Sequence, residues 1–230
     1  MKIPYLVVLL IACGWMGPLL GQEKSVKPGI NDSFKDPSVS KYEKRFETEG
    51  REIYDKRQAI IKEMELKPGM TVADIGAGTG LFTRLLAPAV GEKGKVYAVD
   101  IAKSFVEHSV KSAKEQGWSN VEGIVCVADD AELSEGSVDL AFICATYHHF
   151  EFPLKTMASI RKALRPGGKV VVIDFERIEG KSREWLLKHV RADKELVKKE
   201  IESSGFALEE EVSMFKENYL LKFKVAKKKQ

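Results

Sequence analysis

A three-layer, doubly wound α/β fold around a mostly parallel, seven-stranded sheet ending in an antiparallel hairpin is what this sequence predicts. Three observations predict it. Short apolar runs alternate along the chain with segments of helical period. A glycine cluster closes the first of those runs, and the last two strand-like runs follow each other almost without a break.

Lys67-Pro68-Gly69 signals a turn, and residues 70–75 then form a short buried strand. Leu81, Phe82, Leu85, Leu86 and Ala89 share one face of the helix that follows. Strands over 95–100, 121–127, 138–144 and 169–175 come next, separated by helices near 103–116 and 154–164. The connection at 129–133 holds at most a single helical turn. Because a parallel crossover must travel back over the sheet, strands alternating with helices imply a parallel sheet covered on both faces. A helix over 193–204, with Asp193 as N-cap and Gly205 as its stop, leads to strands over 208–215 and 218–225. Only Lys216-Glu217 lies between these two strands, so they pair as an antiparallel hairpin. Ahead of the sheet, Tyr42, Phe46, Ile53, Tyr54, Ile60 and Ile61 recur at roughly helical spacing, which predicts one or two amphipathic helices within 41–64.

With 44% hydrophobic and 31% charged residues over 230 positions, the composition suits one globular domain and excludes a disordered or multi-span chain. A net charge of +3 is too small for nucleic acid as the main ligand. Cys13, Cys126 and Cys144 are too scattered for a disulfide framework or a metal knuckle. Residues 1–21 carry a single lysine, Lys2, before a nearly uncharged apolar run, and read as a signal peptide or an uncleaved membrane anchor. Leu10-Ile11-Ala12-Cys13 resembles a lipobox, so a plain leader and a lipoprotein stand side by side. The domain is then expected outside the cytoplasm or tethered to the membrane, with a cytoplasm-facing anchor the other topology. Residues 22–40 read as a polar linker, 41–225 as the domain, and 226–230 as a solvated basic tail. Nothing in the sequence speaks to oligomeric state.

In an open α/β sheet the ligand lies beyond the carboxyl ends of the strands, where the strand order reverses. The first such segment is Asp74-Ile75-Gly76-Ala77-Gly78-Thr79-Gly80. Leu81 stands where a dinucleotide fingerprint needs its third glycine, which disfavours a nicotinamide or flavin oxidoreductase. Asp100 ends the second strand, where a carboxylate accepts from both hydroxyls of a ribose. Asp129 and Asp130 follow the third, where a carboxylate can accept from an exocyclic amine such as that of adenine. Together they describe an adenosine-bearing ligand without a pyrophosphate.

Over roughly residues 41–225 the chain resembles class I S-adenosyl-L-methionine-dependent methyltransferases, which implies their Rossmann-like fold. Asp74 to Gly80 matches the first motif, Asp100 the ribose acid, Asp129 with Asp130 the adenine-side motif, and Leu164-Arg165-Pro166-Gly167-Gly168 the turn before the fifth strand. The resemblance implies that Gly76, Ala77, Gly78 and Gly80 line the amino-acid end of the cofactor and that Asp74 lies near its ammonium. It also implies Asp100, with Ile101 beside it, at the ribose, and either Asp129 or Asp130 at adenine.

The fourth strand runs into Tyr147, His148 and His149 at the edge where a methyl acceptor would approach, and these are the candidate catalytic residues. Adjacent residues on a strand cannot both face one point, so one histidine is expected to be structural. Cys144 with the two histidines lacks a fourth metal ligand, and no metal is expected. His189-Val190-Arg191 could bring a cation to an acidic acceptor. Glu47 and Arg51 read as an i,i+4 surface pair, with a lid over the cofactor as the alternative. The function expected is methyl transfer to a small-molecule acceptor; the alternative is a non-catalytic cofactor-binding or assembly module on the same fold.

Overall fold

The computed structural model describes residues 22–226. The expected leader and lipobox at Cys13, and the tail beyond Ala226, lie outside the described residues.

Three helices, α1 (Val39–Phe46), α2 (Glu52–Asp55) and α3 (Arg57–Glu63), precede the sheet. The alternation then runs β1 (Thr71–Ile75), α4 (Leu81–Val90), β2 (Lys95–Asp100), α5 (Lys103–Glu115), β3 (Val121–Val125), β4 (Val138–Cys144), α6 (Pro153–Ala163) and β5 (Leu164–Phe175). The chain closes with α7 (Glu184–His189), α8 (Lys194–Ser203), β6 (Phe206–Val212) and β7 (Asn218–Val225). Strand order is β3-β2-β1-β4-β5-β7-β6, with β7 antiparallel to both of its neighbours. The order reverses between β1 and β4, so the crevice of the fold opens beyond Ile75 and Cys144.

Side chains alternate across each strand, and the two faces of the sheet build two cores. Val72 and Phe142 pack with Ile60, Phe82 and Leu86 of the helices on one side. Ala73, Ile75 and Ile143 pack with Met157, Ile160 and Ile201 on the other. Both faces being covered, the strands read as continuous apolar runs. Asp193 caps α8 by accepting from the Leu196 amide at 2.8 Å, and Gly205 takes φ +89° just past its end, as the sequence indicates.

Two expectations need correction. The hairpin turn is not two residues: β6 ends at Val212, and residues 213–217 form the loop. Met214 and Phe215 leave the strand to pack on the core, and the Glu52 carboxylate accepts from the amides of Lys216 and Glu217. Residues 22–40 are not a free linker, because their polar groups bond to the domain. The Val26 amide donates to the Glu151 carbonyl, Ser25 Oγ to the Glu151 carboxylate at 2.8 Å, and Asn31 Nδ2 to the His149 carbonyl at 3.0 Å. Arg165 to Gly168 serve as a structural turn, as expected: they lie out of register between the paired Leu164 and Lys169 at the start of β5, with Gly167 at φ +82° and Arg165 paired to Asp139 at 2.6 Å. Among the described residues no helix is long and apolar enough to cross a membrane.

Candidate functional site

One cavity of about 600 Å³ lies over the crevice and takes in both the glycine loop and the histidines. The loop makes its floor. Gly76 sits at φ +71°, and a Cβ there would come within 2.2 Å of Thr146 Cγ2, so glycine is what lets the turn pass under β4's exit. Gly80, also at positive φ, opens α4 against Ser109.

Two buried carboxylates face this cavity, with no cationic partner in contact among the described residues. Asp74, buried at the end of β1, accepts a 2.7 Å bond from Thr83 Oγ1. Burial pushes its carboxyl up to about 7; the Thr83 bond works against that rise, and the nearby Asp100 charge adds to it. Asp100 accepts from the Gly78 amide at one oxygen and the Ala102 amide at the other, both at 2.9 Å. Burial raises it as well, and the amides restrain the rise. Two amide-held oxygens keep lone pairs for further donors. A buried acid pair with no ion-pair partner among the described residues fits a ligand that brings its own ammonium and a vicinal diol. S-adenosylmethionine has both, so the residues present fit that cofactor.

The remaining expected contacts divide. Ala77, Gly78 and Ile101 line the cavity. Of the acid pair after β3, Asp130 lines it, whereas Asp129 turns outward to Lys155 at 3.1 Å.

The expected Glu47–Arg51 pair does not form. An i,i+4 pair needs one continuous helix, but α1 stops at Phe46 and Gly50 takes φ +85°. Glu47 instead grips Arg84 through both oxygens at 2.7 and 2.8 Å and accepts from Thr79 Oγ1 at 2.7 Å. The end of α1 is thereby clasped onto the glycine loop, with the Phe46 ring over Gly78.

On the acceptor side, Ala145 at φ +51° turns the chain out of β4, and Tyr147–His149 form a 3-10 turn rather than a strand end. Successive residues of that turn are not constrained to opposite faces, so both histidines reach one point, with ring centroids 4.2 Å apart. Tyr147 is wholly buried beneath them. The His148 backbone amide donates to one Asp174 oxygen at 2.9 Å and its Nδ1 meets the other at 2.7 Å, both groups being buried. In the neutral tautomer that donates Nδ1–H to this carboxylate, Nε2 of His148 carries the free lone pair. His149 is pushed down to about 2, chiefly by burial. Its imidazole is therefore neutral in ordinary buffers and too weakly basic to take a proton there.

His189, at the end of α7, completes the cluster, its ring centred 5.1 Å from His148 and 5.0 Å from His149. Arg191 does not reach the cavity: Glu200 holds it at 2.7 and 2.9 Å, and it lies over the Tyr147 ring. The cations expected from the 189–191 segment therefore come to one neutral ring and one arginine already paired. Asp174 and the joining of His189 to the pair are what the sequence reading missed. The signal for Asp174 was an acid at the end of a buried strand adjacent to β4.

Sheet order, glycine loop and strand-end acids together define the class I S-adenosylmethionine-dependent methyltransferase architecture. Residues 66–224 match the methyltransferase domain family, and the chain belongs to it. It is 27% identical over 118 residues to a ubiquinone/menaquinone biosynthesis C-methyltransferase of Burkholderia vietnamiensis, covering 51% of this chain and 48% of that protein. A demethylmenaquinone methyltransferase of Bacillus velezensis is 27% identical over 123 residues, 54% of this chain and 53% of that one. The chain thus spans about half the length of the curated relatives it matches. A SAM dependent methyltransferase from Aquifex aeolicus has the same fold, with TM-score 0.72 and 27% identity across 83% of this chain and 100% of that one.

Proposed function

We propose that this protein binds S-adenosylmethionine and transfers its methyl group to a small, hydroxylated aromatic acceptor. The observation that carries the reading is one cavity lined both by Asp74, Asp100 and the glycine loop and by the histidine cluster. Relatives named for ubiquinone and menaquinone methylation support a quinol-type ring. So do the walls: Phe34 stands edge-on to His149, and Phe175 edge-on to His148 and to Trp185.

When bound, the cofactor supplies an electrophilic methyl on a positively charged sulfur, with its leaving group already in place. Asp74 and Asp100 bind and orient it, the clasped end of α1 keeps water from the loop, and the aromatic walls align the acceptor. The neutral ring nitrogens accept from an acceptor hydroxyl and hold its oxygen toward the cofactor end of the cavity.

Isothermal titration tests the cofactor half. The folded protein is expected to bind S-adenosylmethionine, and Asp100→Ala to weaken it at least tenfold; no binding by folded protein contradicts the reading. For the acceptor half, reduced demethylated quinones are offered in detergent micelles, and acceptor-dependent release of S-adenosylhomocysteine is measured. Cofactor binding with no transfer to this or a wider panel of acceptors would favour a non-catalytic module. The apolar run of residues 1–21 supports a location at or beyond the membrane, and a soluble cytoplasmic protein that retains those residues would refute it.

A further inference from the structure

Three of the chain's four histidines meet at one point of the cavity, outside the cofactor motifs. Each offers a ring nitrogen within 4.8 Å of the others. We propose that His148, His149 and His189 bind a divalent first-row transition metal such as zinc or cobalt, leaving a coordination position open toward the acceptor.

Four observations support the site. First, one donor is oriented as a metal requires. His148 gives its Nδ1–H to the buried Asp174 carboxylate, which fixes the tautomer and turns Nε2 outward, as the carboxylate partners of metal-bound histidines do. Second, His149 Nδ1 is buried with no hydrogen-bond partner among the described residues. An orphaned buried nitrogen costs about 1–3 kcal/mol unless something takes its lone pair.

Third, the cluster is braced from outside. Asn31 Nδ2 donates to the His149 carbonyl at 3.0 Å, and Lys27 Nζ donates to the His189 carbonyl at 2.7 Å. One polar strap thus ties the two elements that carry these rings. Phe34, Phe175 and Trp185 pack against the rings themselves. Fourth, the spacing is close to what a metal needs. Nitrogens about 2.0–2.1 Å from a tetrahedral ion stand about 3.4 Å apart, so the cluster contracts by at most about 1.4 Å from the 4.8 Å limit on loading. His189, half-buried on the six-residue α7, is the ligand with room to make that movement.

Three histidines and one open position form a catalytic rather than a structural metal site. An acceptor hydroxyl entering that position would lose its proton to solvent more readily, and the resulting oxyanion would lie in the cavity it shares with the cofactor site. This role rests on the methyl-transfer reading; metal binding does not.

The test uses the full chain stripped with a chelator and titrated with cobalt(II), read by the visible d–d bands of histidine-bound cobalt and by metal content after gel filtration. The expected result is one cobalt per chain, displaced by zinc. His189→Ala is the chief variant because its side chain is half-exposed and contributes least to the core; it should bind cobalt at least a hundredfold more weakly. Asp174→Asn should weaken binding about tenfold to a hundredfold without removing a ligand. S-adenosylmethionine titration of the same samples reports on folding and on the cofactor site. Folded parent protein that binds no cobalt, or a folded His189→Ala that binds it as the parent does, overturns the proposal. Cobalt binding without cofactor binding would refute the methyl-transfer reading and leave the metal site standing, and the converse would remove the metal site alone.

Discussion

Asp74→Asn tests the electrostatic logic of the cofactor site. The carboxyl of Asp74 titrates near 7 in the ligand-free protein because burial penalises its charge, and an incoming ammonium is the group that would restore it. If binding needs the ionised form, affinity is scaled by the fraction already ionised, and so reduced by the inverse of that fraction. With titration near 7, that factor is about twofold at pH 7, about tenfold at pH 6 and about a hundredfold at pH 5. The slope of log affinity against pH should therefore be about one proton steeper between pH 5 and 6 in the parent than in Asp74→Asn. Linkage gives a second readout with a definite sign. A carboxyl raised in the folded state from 3.8 to about 7 contributes stability below pH 4 that is lost as pH rises through 7, on the order of 4 kcal/mol. Ligand-free Asp74→Asn should lose that pH dependence and gain on the parent above pH 7. Calorimetric titration across pH 5 to 7, with urea melts of the free proteins, measures both. Equal binding slopes for parent and variant would refute the argument.

The remaining predictions concern the parts around that site. Gly76→Ala combines positive φ with a Cβ 2.2 Å from Thr146 and should cost about 2–5 kcal/mol in denaturant midpoint analysis, recovered in part by Thr146→Ala. Glu47→Gln should release α1 from Arg84 and the loop, costing about 1–2 kcal/mol, less than a fully buried pair would, and speeding cofactor release in stopped-flow. Phe142→Ala empties a fully buried site packed edge-on against Phe82 at 4.9 Å and should cost about 3–5 kcal/mol in a urea melt.

The parts of the molecule legible in the sequence are those whose cause is local. A buried parallel strand is an apolar run, an N-cap is an Asp before a helix, and the loop after β1 needs glycine for its backbone angles, so β1 to β5, Asp193 and Gly76 to Gly80 could be read directly. What escaped depends on partners far along the chain. Asp174 lies 26 residues beyond His148 and meets it because β4 and β5 are neighbours, which period alone does not reveal. His189 rides on a helix too short to carry a periodic signal. Residues 22–34 look like a linker because their hydrogen-bonding groups are unpaired in sequence; Glu151, His149 and His189 pair them in space. Glu47 looked like Arg51's partner until the break at Phe46 gave it to Arg84 instead.

The most direct test of the central claim is a search of cell extract for molecules that gain a methyl from isotopically labelled S-adenosylmethionine, run in parallel with the parent protein and with folded Asp100→Ala. The account predicts a labelled small aromatic species that forms with the parent and falls at least tenfold with the variant. A parent protein that binds the cofactor yet labels nothing, or equal labelling by both proteins, would contradict it.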